Sequence, residues 1–297
     1  MLEIYKILEL MMGDIKMKVA ILGTGLMGTA MAEAVMKAGH EVIVYNRTAA
    51  KTAPLVELGA KAVLSPAEAI LEADATIIVL LDGKGVKELL LDDALTLAFK
   101  GKKFINASTT MLDEIMDVAD QITKHGGVLA EMTINADNTM LRSGEASFAI
   151  GCKDADEKFW TDLLLSFGKE VIRVGDIGDA TKAEAASVFG AVMNMVTLAY
   201  STAIAQKLNV KQEIYEPLVS MLVPGAEYQL ANMVTHNHEN IFAALDSYTA
   251  GFTIAIKTAR SVGMPTEVLE EMLKLFTLAE SRGFAKKDGS SVIEVLL

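Results

Sequence analysis

Residues 18–28 read KVAILGTGLMG, in which a short apolar run, Val19 to Leu22, leads directly into Gly23, Gly25 and Gly28. This G-x-G-x-x-G spacing, placed after a strand and at the start of a helix, asks something different of each glycine. The first allows a tight turn, the second lets backbone approach a pyrophosphate, and the third lets helix pack on strand. The small and apolar stretch Thr29 to Ala38 suits such a helix, Gly39 ends it, and the β-branched run Val42 to Tyr45 supplies a second strand. The chain therefore starts as a βαβ unit.

The alternation continues. Strands are expected at 61–64, ATIIVLL (75–81), KKFINAS (102–108), VLAEMTI (128–134) and EASFAIG (145–151), with helices at 66–73, 86–91 and 111–126 between them. Such alternation predicts a parallel, doubly wound sheet, with EASFAIG as its last member. From Asp179 the pattern changes. ATKAEAASVFGAVMNMVTLAYSTAIAQKL is long, rich in small residues and apolar nearly all round, as expected of a helix buried on every side. Helical patterns alone follow, near 211–222, 225–234, 242–262 and 266–281, punctuated by Pro217, Pro224 and Pro265. The predicted fold is α/β: a Rossmann domain over 17–178, then an all-helical domain over 179–297 entered by a long interdomain helix. Residues 1–16 read as an extension with an amphipathic helical pattern at Leu2, Ile4, Ile7, Leu8 and Met11.

Composition removes several function classes. A net charge of −12 over 297 residues repels nucleic-acid phosphates, so no nucleic-acid partner is expected. The single Cys152 cannot form an internal bridge, which fits a reducing, cytoplasmic compartment. No signal peptide and no membrane span are expected. The 17 methionines are read as adaptable core filling.

The end of the second strand selects the cofactor. An acidic residue there would bind a ribose 2′-hydroxyl and repel a 2′-phosphate. This chain has Asn46, Arg47 and Thr48, with Lys51 one turn on, a set suited to a 2′-phosphate. The expected cofactor is NADP(H), bound through Gly23, Thr24, Gly25, Leu26, Met27, Gly28, Asn46, Arg47, Thr48 and Lys51.

ILGTGLMG, VYNRT, IIVLLDG, NASTT (106–110), GEASFAIG (144–151) and GFAKKDGSSVIEVL (283–296) together resemble the β-hydroxyacid dehydrogenase superfamily. That group includes 3-hydroxyisobutyrate dehydrogenases, glyoxylate and succinic semialdehyde reductases, and imine reductases, with 6-phosphogluconate dehydrogenase-like C-terminal domains. The resemblance implies a homodimer, an active site in a cleft near the long helix, and further cofactor contacts at Leu80, Leu81 and Thr109. The family's substrate loop, usually D-A-P-V-S-G-G, reads EMTINAD at 131–137, which puts Asn135 at the serine position. The family's catalytic lysine lies six residues after a glycine. Six residues after Gly178 is Glu184, with Ser187 and Val188 at the positions of two family asparagines. Imine reductases often carry a carboxylate there. Lys257 matches a family lysine near the nicotinamide, and Asp288 matches a family aspartate read here as a structural cap.

Two ionisable groups compete at this point. Lys182 and Glu184 point about 160° apart on a helix, so only one shares a face with the polar stripe of Ser187 and Asn194, and that one is Glu184. Thr181 and Glu184 also fit a capping box, and Asp179 fits as an alternative cap. A shifted register would make Lys182 the catalytic lysine. A ketone gathers negative charge on oxygen during reduction and gains from an ammonium group. An iminium is positive before hydride transfer and gains from a carboxylate. The expected function is NADPH-dependent reduction of a small C=N substrate, with Glu184 and Lys257 catalytic and Asn135 and Ser187 binding substrate. The alternatives are a carbonyl reductase or hydroxyacid dehydrogenase using Lys182, and an NADP(H)-binding protein without turnover. His236 and His238, two residues apart, do not share a helix face, so no metal site is expected. Tyr200, Tyr228 and Tyr248 are candidate proton donors of unknown placement, and Trp160 is read as core or interface.

Overall fold

The glycine-spaced turn does join a strand to a helix in the computed structural model, which describes residues 16–90, 92–223 and 227–297. The helix expected over 2–11 lies outside the described residues. Strand β1 (Lys18–Leu22) leads to α1 (Leu26–Lys37) and β2 (Glu41–Tyr45). Then come α2 (Ala53–Glu57), β3 (Lys61–Ala62), α3 (Pro66–Glu72), β4 (Ala75–Ile78), α4 (Gly83–Leu90), α5 (Asp93–Thr96) and β5 (Lys103–Asn106). The sheet is completed by α6 (Leu112–Lys124), β6 (Val128–Asn135), α7 (Asn138–Ser143), β7 (Ser147–Gly151), α8 (Asp154–Leu165) and β8 (Glu170–Gly175). Helices alone follow: α9 (Asp179–Lys207), α10 (Gln212–Leu222), α11 (Glu227–Thr235), α12 (Leu245–Ser261) and α13 (Glu267–Ala279). The chain divides into two units, Met1–Thr181 and Lys182–Leu297, and the division falls in the first turn of α9.

The strand order of the first unit is β3-β2-β1-β4-β5-β6-β7-β8. Its first six strands are the doubly wound order 3-2-1-4-5-6, with the switch point between β1 and β4. Successive side chains of β1 enter opposite layers, as the twofold period of a strand requires. Val19 and Ile21 pack with Met31 and Val35 of α1 and Trp160 of α8. Ala20 and Leu22 pack with Ile70, Val86, Ile115 and Ile122 on the other face. Trp160 is therefore core.

Two features of the sheet differ from the expectation. It has an eighth strand beyond EASFAIG, and β6 pairs with β7 antiparallel, Asn135 opposite Ser147. The connection between that pair is short, which is too little chain for a parallel crossover. Strand β8 has no buried residue and carries Glu170 and Arg173, so its apolar signal is weak.

The second unit is built on α9, whose Val192, Met195, Leu198 and Ala199 pack with Phe252, Ala255, Phe276 and Val292. The expectation that this helix is buried on all sides needs correction: Met193, Tyr200 and Ile204 are 41%, 46% and 54% exposed. By length and mean hydropathy (1.5) alone α9 is long and apolar enough to cross a membrane, a test that core helices also pass.

Candidate functional site

The Gly-rich turn lies at the carboxyl end of β1, beside the switch point. Gly23 has φ +106°, and a Cβ there would stand 2.1 Å from the Val79 carbonyl oxygen. A Cβ on Gly28 would stand 2.0 Å from the Gly23 carbonyl oxygen. Those two glycines are required by the protein itself. Gly25 is different: nothing lies within 4 Å of its Cβ position. It is the N-cap of α1, no side chain caps that end, and the first turn has no acidic residue. The helix start therefore presents backbone N–H donors beside open space, the arrangement that receives a dinucleotide pyrophosphate. The residues present fit that cofactor.

This contrast gives a direct test. Gly25→Ala is expected to fold with an unchanged melting temperature and to bind dinucleotide at least about tenfold more weakly, because its new methyl fills only the ligand's space. Calorimetric titration beside thermal unfolding checks both halves.

The loop after β2 is tied to this turn by Asn46. Its Oδ1 accepts the Thr24 N–H at 3.1 Å and its Nδ2 donates to the Thr48 carbonyl at 3.0 Å. The Thr24 hydroxyl donates to the Lys51 carbonyl at 3.3 Å. Asn46 thus acquires a positioning role that the sequence did not reveal, since both its amide atoms hold backbone. Arg47, Thr48 and Lys51 are exposed on that loop, and Leu26 and Met27 begin α1.

Leu80 and Leu81 follow β4, and Thr109 follows β5. The two loops are joined by Ser108, a residue the sequence reading passed over within NASTT. Its hydroxyl accepts the Leu80 N–H at 2.8 Å, and Asn106 holds Ser108 through both backbone groups at 2.9 and 3.2 Å. Asn106 and Ser108 are buried, so this tie is internal.

The expected substrate loop ends β6. Asn135 is exposed there. Asp137, at a family glycine position, caps α7: its Oδ1 accepts the Thr139 and Met140 N–H groups, each at 2.7 Å.

The start of the same loop holds the residue most clearly missed. Glu131 is 2% exposed on β6. Its Oε1 accepts the backbone N–H groups of Gly178 at 2.6 Å, Ala180 at 2.9 Å and Thr181 at 3.4 Å, and its Oε2 accepts the Thr181 hydroxyl at 2.6 Å. A buried carboxylate from the sheet therefore caps the start of α9, where helical N–H groups lack partners. Burial pushes its carboxyl above the usual range, while those four donors pull the other way. Thr181 is not the N-cap proposed from TKAE, because α9 begins at Asp179 and the Thr181 hydroxyl is engaged by Glu131.

In the second unit, Glu184 is half-buried and Lys182 exposed on the first turns of α9. The Ser187 hydroxyl, also exposed, donates to the Glu184 carbonyl at 3.0 Å. Lys257 is exposed on α12. Asp288 is the structural cap expected: it is 1% exposed and accepts from Ser290 N–H at 3.0 Å, Phe242 N–H at 2.8 Å and Asn232 Nδ2 at 3.3 Å. Among the tyrosines, burial and the nearby Asp288 push the Tyr248 phenol up to about 12, far from a working proton donor at neutral pH. Tyr228 donates its hydroxyl to the Asn240 carbonyl at 2.7 Å.

Residues 18–175 match the family described as the NAD binding domain of 6-phosphogluconate dehydrogenase. Among curated proteins, the chain is 28% identical to glyoxylate/succinic semialdehyde reductase 2, chloroplastic, of Arabidopsis thaliana, covering 94% of this chain and 79% of that protein. It is 26% identical to the cytokine-like nuclear factor N-PAC of Gallus gallus, covering 93% of this chain but only 50% of that protein. Among solved structures, a 3-hydroxyisobutyrate dehydrogenase from Salmonella typhimurium shares the fold with TM-score 0.83 at 20% identity, over 94% of this chain and 99% of that one. An imine reductase from Myxococcus stipitatus in complex with NADP+ does so with TM-score 0.65 at 20% identity, over 94% and 100%.

Proposed function

The chain belongs to the 6-phosphogluconate dehydrogenase NAD-binding family, within the β-hydroxyacid dehydrogenase superfamily, and from that premise we propose that it is an NADPH-dependent reductase of a small C=N compound. The observation that carries the reading is the carboxylate at position 184, half-buried on the first turns of α9, where the family's dehydrogenases have lysine. When bound, the cofactor supplies the hydride. The open space at Gly25 and the uncapped start of α1 receive its pyrophosphate. Asn46 holds the β2 loop to the Gly-rich turn, and the exposed Arg47, Thr48 and Lys51 on that loop would be the residues to meet a 2′-phosphate. Glu184 favours the protonated iminium over the neutral imine, which raises the fraction of substrate able to accept hydride. Overall one hydride and one proton add across C=N.

The selection of NADPH rests on the absence of an acid after β2 and on exposed Arg47. Arg47→Ala is expected to weaken NADPH binding about tenfold or more while leaving NADH binding within about twofold, since a charge-assisted bond to phosphate contributes about 1.5–3 kcal/mol. Fluorescence titration with both coenzymes decides it.

Carbonyl reduction is the second reading. It is favoured by the 28% identical glyoxylate/succinic semialdehyde reductase. Binding without turnover is the third, and the altered loop at 131–137 and the carboxylate in place of a lysine at position 184 favour it. NADPH oxidation against a panel of cyclic imines, beside aldehydes and keto acids, separates all three. Turnover of imines alone supports the proposal, turnover of carbonyls alone replaces it with the second reading, and coenzyme binding with no turnover replaces it with the third.

A further inference from the structure

The helix α11 ends at Thr235, and His236 then adopts φ +54°, a left-handed backbone uncommon for a residue with a side chain. That turn undoes the geometry by which two residues separated by one would diverge on a helix. His236 and His238 now direct a ring nitrogen at the same carboxylate oxygen: His236 Nδ1 and His238 Nε2 each lie 2.8 Å from Glu294 Oε1. Glu294 arrives from the turn Gly289–Val295, 56 residues further along the chain than His238. The three potential ligand atoms lie within 4.8 Å of one another.

We propose that His236, His238 and Glu294 form a binding site for zinc or a similar divalent cation in the second unit, remote in sequence from every residue assigned above to cofactor or substrate. Two imidazoles and one carboxylate are a donor set that suits this class of ion, whose bonds to nitrogen and oxygen run to about 2.0–2.2 Å. Ligand atoms a few ångströms apart close around such an ion by small side-chain rotations.

The surroundings orient the ligands. The other nitrogen of His238, Nδ1, meets the fully buried Ser290 hydroxyl at 2.9 Å, and this contact fixes the ring with Nε2 turned to the site. His236 Nε2 meets the Gln206 side chain at 3.3 Å. Asp288, buried beside Ser290, anchors the turn that delivers Glu294 by accepting the Ser290 N–H. Arg282 donates to the Glu294 backbone carbonyl at 3.1 Å. The His238 side chain is 5% exposed and that of His236 42%, so the site has a closed floor and an open side. Three protein ligands leave a fourth tetrahedral position on that open side for water or a further donor. The ion would cross-link the loop after α11 to the C-terminal turn, so binding to the folded state raises stability with the logarithm of ion concentration once that exceeds the dissociation constant.

The test uses the untagged full chain, freed of metal by chelator and titrated with zinc in a calorimeter, with cobalt absorption as a second readout. One equivalent of zinc is expected to bind and to raise the melting temperature. His236→Ala changes an exposed side chain and should preserve the fold while weakening binding at least tenfold. Glu294→Gln, nearly isosteric, should do the same, and His125→Gln in the first unit should bind as the parent does. Absence of stoichiometric binding would overturn the proposal and leave the cluster as an imidazole–carboxylate clamp. Parental affinity in both His236→Ala and Glu294→Gln would also overturn it, by placing the ion elsewhere.

Discussion

Glu131→Ala is expected to destabilise the folded chain by about 3 kcal/mol or more, since each buried donor left without a partner costs about 1–3 kcal/mol. Three backbone N–H groups and one hydroxyl at the start of α9 converge on this carboxylate. Alanine removes all four acceptor contacts and opens a cavity beneath Gly151, whose Cβ position stands 2.6 Å from Glu131 Oε1. Glu131→Gln separates hydrogen bonding from charge. Its amide oxygen keeps the backbone donors, and its NH₂ can donate to a reoriented Thr181 hydroxyl, so it should lose far less than alanine does. Denaturant unfolding of the three proteins measures the ranking. The sign of the pH dependence follows from burial, which raises the folded carboxyl above its unfolded value. Between those values the native state binds more protons than the unfolded state, so the Glu131 contribution falls as pH rises through that window. The glutamine variant lacks this proton, and the stability difference between parent and Glu131→Gln should therefore shift against the parent as pH increases. A difference independent of pH would show that hydrogen bonding fully offsets the cost of burial.

What was legible in the residues was what local spacing controls. The G-x-G-x-x-G turn, the alternation of apolar strands with helices and the switch at Asp179 each depend on neighbours within one or two turns of chain, and the doubly wound sheet followed from them. Strand β8 was missed because it buries nothing, so its apolar signal is diluted by Glu170 and Arg173. The antiparallel β6–β7 pair was missed because side-chain periodicity carries no strand direction. Glu131 stood in the quoted substrate loop, yet its partners lie 47 to 50 residues away, and no spacing rule connects a strand carboxylate to a helix start at that distance. The contact of Glu294 with His238 spans 56 residues and is likewise beyond local spacing. His236 and His238 fall outside the helix-face rule, because the chain leaves the helix at Thr235. Asn46 shows a subtler case: its position correctly marked the end of β2, while the occupation of both its amide atoms by backbone was visible only in three dimensions.

Glu184→Gln is expected to lower kcat for imine reduction by about 100-fold or more, with the affinity for NADPH unchanged and Lys182→Ala close to the parent. The magnitude follows from what glutamine retains. It has almost the same shape and a carbonyl acceptor, so substrate still binds, but it carries no negative charge to favour the iminium. An effect confined to kcat would identify a charge that matters in the reacting complex, whereas a rise in KM alone would identify uniform binding. Supplying a substrate that is permanently cationic, an N-alkylated iminium, sharpens the distinction. Such a compound needs no proton, so Glu184→Gln should lose much less on it than on the neutral imine. Equal losses on both substrates would mean that Glu184 acts on the transition state directly or positions its neighbours. The opposite pattern, with carbonyl turnover lost in Lys182→Ala and untouched in Glu184→Gln, would assign the work to the exposed lysine. The chemistry of the first turns of α9 would then be that of a ketone gathering negative charge on oxygen, which an ammonium stabilises and a carboxylate opposes.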